Sequence, residues 1–563
     1  MDIHDVVRRI VLQNAIEHEG KANVGSVIGH VLGQHPELRQ NIQEIQSLSN
    51  KFVNEINILT IDEQKSEIKK IGGYLKEEKR EKIKSLPDIP EVAGKKVVVR
   101  IAPNPDGAIH IGNARPAVLS DEYKKKYKGK FILRFDDTDP KIKVPEKKFY
   151  KICRDGLKWL GIRWNTEIVA SKRLKIYYRY AEKLVKIGAA YVCICKPEEW
   201  RAMRNKSIEC PCRNLNIKEH VLRWKMMLNV NTKKGKRYSE GQAVLRIKTD
   251  INHSNPAVRD WPAMRIVDKP NHPFSKARLW PLYNLASSLD DHLTGVNIIL
   301  RGQEHATNET KQAYIYNYFK WPLPKVIILG RFLFPDFVLS KSLTKQGIKE
   351  GGFSGWNDPK LGTLIALKRR GFSPQAIRNF ILEIGVKSND AVVSFENLAA
   401  ANKKIVDKTA NRYFFVKDPV QIRIKYSPRR VKLPIHPDKK GKNRTLHVKD
   451  SLIIDREDYE NEKEVRLIGL YNIIMRNKKS CSVINEDLKY AKTKHLKKIH
   501  WLPNDKKQII RSDIIMPDKT VHGYCERNIL KEKQYNVIQF ERFGFVRIEK
   551  KIKNKIVGVF GHK

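Results

Sequence analysis

The sequence predicts an α/β chain built around a doubly wound parallel sheet, with helical segments on either side of it in the chain and an antiparallel β-barrel region at the end. Three observations carry that expectation. From Val97 to about Ile328 short apolar runs alternate with helical patterns, the rhythm of strand–helix–strand units that pair in parallel. Before residue 90 the apolar residues recur at helical spacing, and beyond about residue 405 the period changes to two, as half-buried strands require. At 563 residues the chain is too long for one core, and about 100 to 200 residues per domain gives three to five domains.

Taken in order, Ile3, Val6, Val7, Ile10 and Val11 open a first helix, and an amphipathic stretch runs from Asn41 to Ile58. A charged run, Leu75 to Lys82, leads through Pro87 and Pro90 into the sheet, so a helical domain is expected over 1–93. The sheet domain is expected over 94–335: Val97 to Ile101, Phe131 to Phe135 and Val296 to Leu300 are strands, while Ala114 to Lys126 and Phe149 to Leu160 are helices. Cysteine, Trp and Pro break this rhythm at about 190–280, which marks an insertion between the two halves of the sheet.

A helical domain follows over 336–404. One helix runs from Leu361 to Arg369 with Gly371 suited to a left-handed cap, and Ser373-Pro374 starts another that reaches about Glu383. Val420, Ile422, Ile424 and Tyr426 then alternate with Gln421, Arg423 and Lys425, and Val431, Leu433 and Ile435 repeat the pattern. Many short strands of this kind imply an antiparallel barrel over 405–563.

Composition narrows the partners. Lys and Arg number 110 against 62 Asp and Glu, a formal charge of +48, which concentrates polyanions and points to nucleic acid or an anionic surface. A Lys-, Ile- and Asn-heavy composition can also reflect genome base bias. No apolar stretch approaches the ~18 residues needed to cross a bilayer, and Met1 to Arg9 carries acids without a signal-like apolar centre. A cytoplasmic protein without a membrane partner is expected. Seven cysteines are few and odd in number, which argues against a disulfide framework.

The chemistry concentrates at strand ends. Pro103-Asn104-Pro105-Asp106-Gly107-Ala108-Ile109-His110-Ile111-Gly112-Asn113 lies between a strand and a helix, where loop and helix N–H groups face the sheet's carboxyl edge and bind phosphates. A second loop, Val338-Leu339-Ser340-Lys341-Ser342-Leu343-Thr344-Lys345, could close on the same phosphates. Asp136-Asp137-Thr138-Asp139 places three carboxylates after another strand. They could hold a metal, accept from a substrate ammonium group, or solvate a turn. Arg301-Gly302-Gln303-Glu304-His305 ends a further strand, and its guanidinium suits a carboxylate or a salt bridge to one of the sheet's acids. Cys193-x-Cys195 and Cys210-x-Cys212 are four thiols that can converge on a structural zinc ion; Cys153, Cys481 and Cys525 read as core residues.

The two loops resemble the HIGH and KMSKS signatures of class I aminoacyl-tRNA synthetases. Arg100-Ile-Ala-Pro-Asn-Pro-Asp-Gly, Arg134-Phe-Asp-Asp-Thr-Asp-Pro, Leu282-Tyr-Asn, Leu300-Arg-Gly-Gln-Glu-His, Gly355-Trp-Asn-Asp-Pro-Lys-Leu-Gly-Thr-Leu and Arg542-Phe-Gly-Phe-Val extend the likeness over nearly the whole chain. In order, they resemble archaeal-type glutamyl-tRNA synthetases. That resemblance implies a Rossmann catalytic domain with an acceptor-end insertion, a helical stem-contact domain and a β-barrel anticodon-binding region. It implies that His110 and Lys341 stabilise the transferring adenylyl phosphate, with Pro103, Gly112, Asn113 and Gln303 near ATP. Arg100 and Arg301 would hold the substrate's carboxylate end, Asp136 its ammonium group, and Tyr283 would line the pocket. Val338 stands where the widespread pattern has its first lysine, and Asn113 where the first motif has its second histidine.

The reaction so implied is attack of glutamate's α-carboxylate on the α-phosphorus of ATP, with magnesium on the phosphates, followed by acyl transfer to the terminal ribose of tRNA(Glu). Charging of tRNA(Gln) as well is a further expectation, and the N-terminal helices are a candidate surface for a protein partner. Two rivals remain: a glutaminyl-tRNA synthetase, disfavoured because a neutral amide leaves the Arg301 charge unmatched, and a catalytically silent tRNA-binding scaffold.

Overall fold

The chain divides into two compact units, Met1–Ile83 and Lys84–Lys563, and among the described residues the first carries the α-helices Ile3–Glu17, Val24–Gln34, Ile42–Ile56 and Ile61–Lys70. The computed structural model describes residues 2–18, 20–71, 85–229, 237–424, 429–439, 441–476 and 480–563. The charged run from Leu75 to Lys82, and Lys425 and Tyr426 of the barrel alternation, lie outside the described residues. In the first unit Ile45, Phe52, Val53 and Ile56 form one buried stripe of the third helix and join Val7, Ile10 and Val11 in a common core. Buried Gln64 ties the ends together by donating from Nε2 to the carbonyls of Gly20, Ile56 and Leu59 at 2.9, 2.8 and 3.2 Å.

The second unit opens on the parallel sheet. Its strands are β1 (Val98–Ile101), β2 (Lys130–Phe135), β3 (Thr166–Val169), β4 (Ile298–Gly302) and β5 (Lys325–Leu329), in the order β3-β2-β1-β4-β5. Every pairing is parallel. Val97, Val99, Phe131 and Leu133 bury into one face, and Val98, Ile132 and Ile168 into the other, which is why these strands read as unbroken apolar runs. Leu86, Ile89 and Val92 also pack into this core. β4 starts two residues later than the apolar run Val296 to Leu300 suggests; at Asn297 the side chain adds to the backbone bonds, its Oδ1 accepting from Val98 N at 2.9 Å and its Nδ2 donating to Lys96 O at 3.0 Å.

Winding reverses between β1 and β4, so a crevice opens at their carboxyl ends. The chain between β3 and β4 carries an antiparallel four-stranded meander, Ala190–Cys193, Val244–Ile247, Pro262–Ile266 and Leu279–Pro281. Trp224, Trp261 and Trp280 fill its core.

After β5 come helices Lys341–Lys349, Leu364–Arg369, Pro374–Ile384 and Phe395–Val406. The second of these begins three residues later than the pattern from Leu361 implies, because Thr363 caps it, accepting from Ala366 N at 3.2 Å. Gly371 has φ +83°, the left-handed conformation that suits glycine after a helix. Ser373 occupies the N-cap of the third helix, but its hydroxyl makes no capping bond.

Two seven-stranded sheets and a two-stranded ribbon, Arg429–Pro434 with Asn443–Val448, complete the chain. It crosses from one sheet to the other at Asp418, φ +41°, between Phe415–Lys417 and Pro419–Ile424. Antiparallel pairing dominates, yet Ile509–Ile515 pairs in parallel with Lys555–His562, and Pro419–Ile424 with Ser480–Asn485. Alternation marks a strand's buried face and carries no information on the direction of its partner, so the parallel pairs were not foreseen.

Candidate active site at the switch point of the parallel sheet

β1 delivers the chain into the loop Ala102–Ile109, and His110 then caps the helix Ile111–Lys126, its Nδ1 accepting from Asn113 N at 3.4 Å. Because Nδ1 accepts, the ring proton of the neutral imidazole sits on Nε2. Burial, and secondly the nearby Lys341 charge, push the His110 pKa down to about 4. His110 is therefore a neutral donor at physiological pH, and Gly112 and Asn113 lie in the first turn it caps. The segment is pinned from outside the loop, Ile111 N donating to Gly362 O at 2.9 Å and Leu364 N to Ile109 O at 2.8 Å. Gly107 is required by contact: a Cβ there would lie 2.4 Å from the Trp356 ring. Pro103 sits at the loop's start, where its carbonyl accepts from Asp136 N at 3.1 Å and joins the ends of β1 and β2.

The second loop meets the first. Ser340 caps the helix Lys341–Lys349, so Lys341 stands at its first position, and its Nζ donates to Asn104 O at 2.6 Å and to Asp106 Oδ1 at 3.0 Å. One cation thus bridges two segments more than 230 residues apart in the chain.

Charge in the adjacent crevice is nearly all balanced. Arg100 donates twice to Asp291, at 2.9 and 3.0 Å; burial opposes its charge, but the carboxylate raises its pKa above the usual arginine value. Arg134 pairs with Asp290 at 2.7 Å and reaches Asp136 at 3.3 Å. Of the three carboxylates after β2, Asp137 accepts from Ser171 N, Ser171 Oγ and Tyr150 Oη at 2.7, 2.6 and 2.6 Å, and Asp139 from Lys141 N, Ile142 N and Arg265 at 3.1, 3.0 and 2.6 Å. Those two build the turn. Asp136 is left facing Arg134, its carboxyl pushed up by burial against that cation's pull.

Arg301, at the end of β4, is the exception. Only 4% exposed, it donates from Nη2 to Gln312 Oε1 at 3.0 Å, and its Nε and Nη1 are buried without a partner among the described residues. Burial lowers its pKa. The sheet-acid salt bridge weighed from sequence is not formed, since Asp290 and Asp291 are taken by Arg134, Arg173, Tyr177 and Arg100. Tyr283 begins the helix Tyr283–Leu293 that supplies both acids, its ring 6.2 Å from that of His305. Gln303 is exposed at the start of the turn Gln303–His305. Asp290, Asp291, Gln312 and Trp356 were not foreseen. The adjacent acids Asp290 and Asp291 were a usable signal, and Trp356 stood in the Gly355-Trp-Asn-Asp-Pro segment that carries the family resemblance; for Gln312 there was none.

In the insertion, Cys193 ends a strand and Cys210 precedes the turn Pro211–Asn214 that contains Cys212. All four sulfurs lie within 4.8 Å of one another, with Cys193–Cys210, Cys195–Cys210 and Cys195–Cys212 at 3.6, 3.3 and 3.9 Å. Zinc with bonds of about 2.3 Å needs sulfurs roughly 3.8 Å apart, so the donor set fits that ion. Arg223 Nη1 donates to Cys212 Sγ at 3.4 Å. Cys153, Cys481 and Cys525 are buried apart from this cluster.

Order β3-β2-β1-β4-β5 and a histidine-capped helix at its switch point define a Rossmann-type nucleotide-binding domain. Residues 96–408 match the model for the tRNA synthetases class I (E and Q) catalytic domain, and 410–491 and 498–549 match two anti-codon binding domain models of the same group. The chain belongs to the class I tRNA synthetases of the E and Q family, within its glutamate–tRNA ligase branch. It is 47% identical to the glutamate–tRNA ligase of Pyrococcus furiosus over the full length of both. With that of Methanocaldococcus jannaschii the figure is 41%, covering 98% of this chain and 99% of the relative. A solved glutamate tRNA ligase from Elizabethkingia meningosepticum aligns with TM-score 0.42 and 20% identity over 56% of this chain and 71% of its own.

Proposed function

We infer that the chain activates L-glutamate with ATP and transfers it to the 3′ end of tRNA(Glu). The observation that carries this is Arg301: a buried guanidinium with two unpartnered groups, in a crevice whose other buried arginines have acids, is matched by a substrate carboxylate and left wanting by an amide. His110 Nε2 and Lys341 donate to the phosphate as charge builds in the transition state. Pro103, Gly112, Asn113 and Gln303 flank ATP, Asp136 takes the substrate ammonium, Arg100 joins Arg301 at the substrate's carboxylate end, and Tyr283 lines the amino-acid pocket. Magnesium belongs to this chemistry as a neutraliser of the triphosphate. Cys193, Cys195, Cys210 and Cys212 would hold one zinc ion that staples the insertion.

Recognition of tRNA(Gln) in addition extends this reading, and the exposed Ile42, Ile58 and Ile61 of the N-terminal helical unit favour a protein partner there. No helix among the described residues is long and apolar enough to cross a membrane, in keeping with a cytoplasmic location. ATP–pyrophosphate exchange with tRNA present tests the reading. Exchange with glutamate is expected; exchange with glutamine alone would favour the glutaminyl enzyme, and none with either the scaffold.

A further inference from the structure

We propose that Gln312 is a specificity-determining positioning residue, whose side-chain carbonyl holds the Arg301 guanidinium in place while, being neutral, leaving its charge for the substrate. Gln312 lies on the helix Ala306–Phe319 that follows β4, 6% exposed, and its Oε1 accepts from Arg301 Nη2 at 3.0 Å. The amide orientation is dictated by its neighbour, since a guanidinium offers only donors and so must meet the oxygen. Among the described residues Gln312 Nε2 has no partner, nor does the hydroxyl of Tyr316 one turn along the same face. Donors therefore cluster around Arg301.

The neutrality of this acceptor is the informative point. Arg100 and Arg134 each rest on a buried aspartate, Asp291 and Asp290, whereas Arg301 rests on an amide. A glutamate at position 312 would have nearly the same length and shape and would make the stronger hydrogen bond. It would also cancel the Arg301 charge, leaving a pocket that tolerates a neutral side chain. Gln312 therefore orients the cation at the cost of bond strength and preserves the charge difference on which the choice of a carboxylate depends.

The proposal rests on the reading that Arg301 binds the substrate's carboxylate, so both are tested together in the full chain. Arg301→Ala, Gln312→Met and Gln312→Glu are compared by ATP–pyrophosphate exchange with tRNA present, with KM for glutamate, ATP and tRNA and the preference for glutamate over glutamine measured for each. Gln312→Met is expected to raise the glutamate KM by about 10-fold, the effect of one lost orienting hydrogen bond, with the ATP and tRNA values within about twofold of wild type. Gln312→Glu is expected to lower the preference for glutamate by at least about 10-fold. A wild-type preference in Gln312→Glu, or an equal rise in all three KM values in Gln312→Met, would overturn the proposal while Arg301→Ala still raises the glutamate KM. An unchanged glutamate KM in Arg301→Ala would overturn the Arg301 reading and the proposal with it. If either Gln312 variant fails to fold, the other decides.

Discussion

Lys341 Nζ lies 3.0 Å from Asp106 Oδ1, so the two signature loops are joined by an ion pair between side chains that are both largely buried. The same ammonium also donates to Asn104 O. In the proposed reaction this ammonium would leave Asp106 and follow the phosphate as negative charge builds.

Replacing Lys341 by alanine should lower adenylate formation by about 100-fold or more, because a lost transition-state donor costs about 3 kcal/mol, and should leave tRNA affinity nearly intact. Single-turnover adenylate formation and tRNA binding measure the two halves. Activation within a few-fold of wild type would remove Lys341 from the chemistry.

His110 should remain uncharged well below neutral pH. Burial and the Lys341 charge place its folded-state pKa at about 4, below the roughly 6.5 of an unfolded histidine. The unfolded chain therefore binds the proton first as pH falls. The stability this neutral ring contributes is fully present above about pH 6.5 and is lost as pH drops toward about 4. Histidine NMR should show no protonation of His110 down to about pH 5, and Lys341→Ala should move its titration upward. A resonance titrating near pH 6.5 in the wild-type chain would contradict this.

Protein purified without chelator should contain one zinc per chain, held by Cys193, Cys195, Cys210 and Cys212. Cys210→Ser should disrupt the insertion more than the parallel sheet, since metal binding and local folding are coupled. tRNA charging should suffer more than ATP binding. Elemental analysis showing no stoichiometric metal would reject the site.

Arg301 should enforce a preference for glutamate over glutamine of at least about 1000-fold in transfer to tRNA, the scale set by a buried polar group left unmatched. Acylation of purified tRNA(Glu) and tRNA(Gln) with each amino acid tests it: efficient glutamine attachment would sink the Arg301 assignment. Strict use of tRNA(Glu) would count only against relaxed tRNA recognition.

Much of the architecture was legible because it is written in local pattern. The period of two at Val420, Ile422 and Ile424 became the strand Pro419–Ile424, the Asn41 to Ile58 stripe became Ile42–Ile56, and Gly371 took the left-handed turn its place after a helix implied. Each cysteine pair, Cys193-x-Cys195 and Cys210-x-Cys212, is local in the same way, although the chain must fold back over 15 to 17 residues to bring the four sulfurs together. Such features depend on residues a few positions apart, and the sequence by itself determined them.

Pairings across the fold were decided by the tertiary structure. The run Asp136-Asp137-Thr138-Asp139 offers three equivalent carboxylates on paper, and only Ser171, Tyr150 and Arg265 show which two are spent on the turn. Arg100 and Arg301 look alike at the ends of their strands, yet one meets Asp291, 191 residues away, and the other meets Gln312. Which charge remains unbalanced follows from burial and from the distances between distant elements, and no local pattern encodes either.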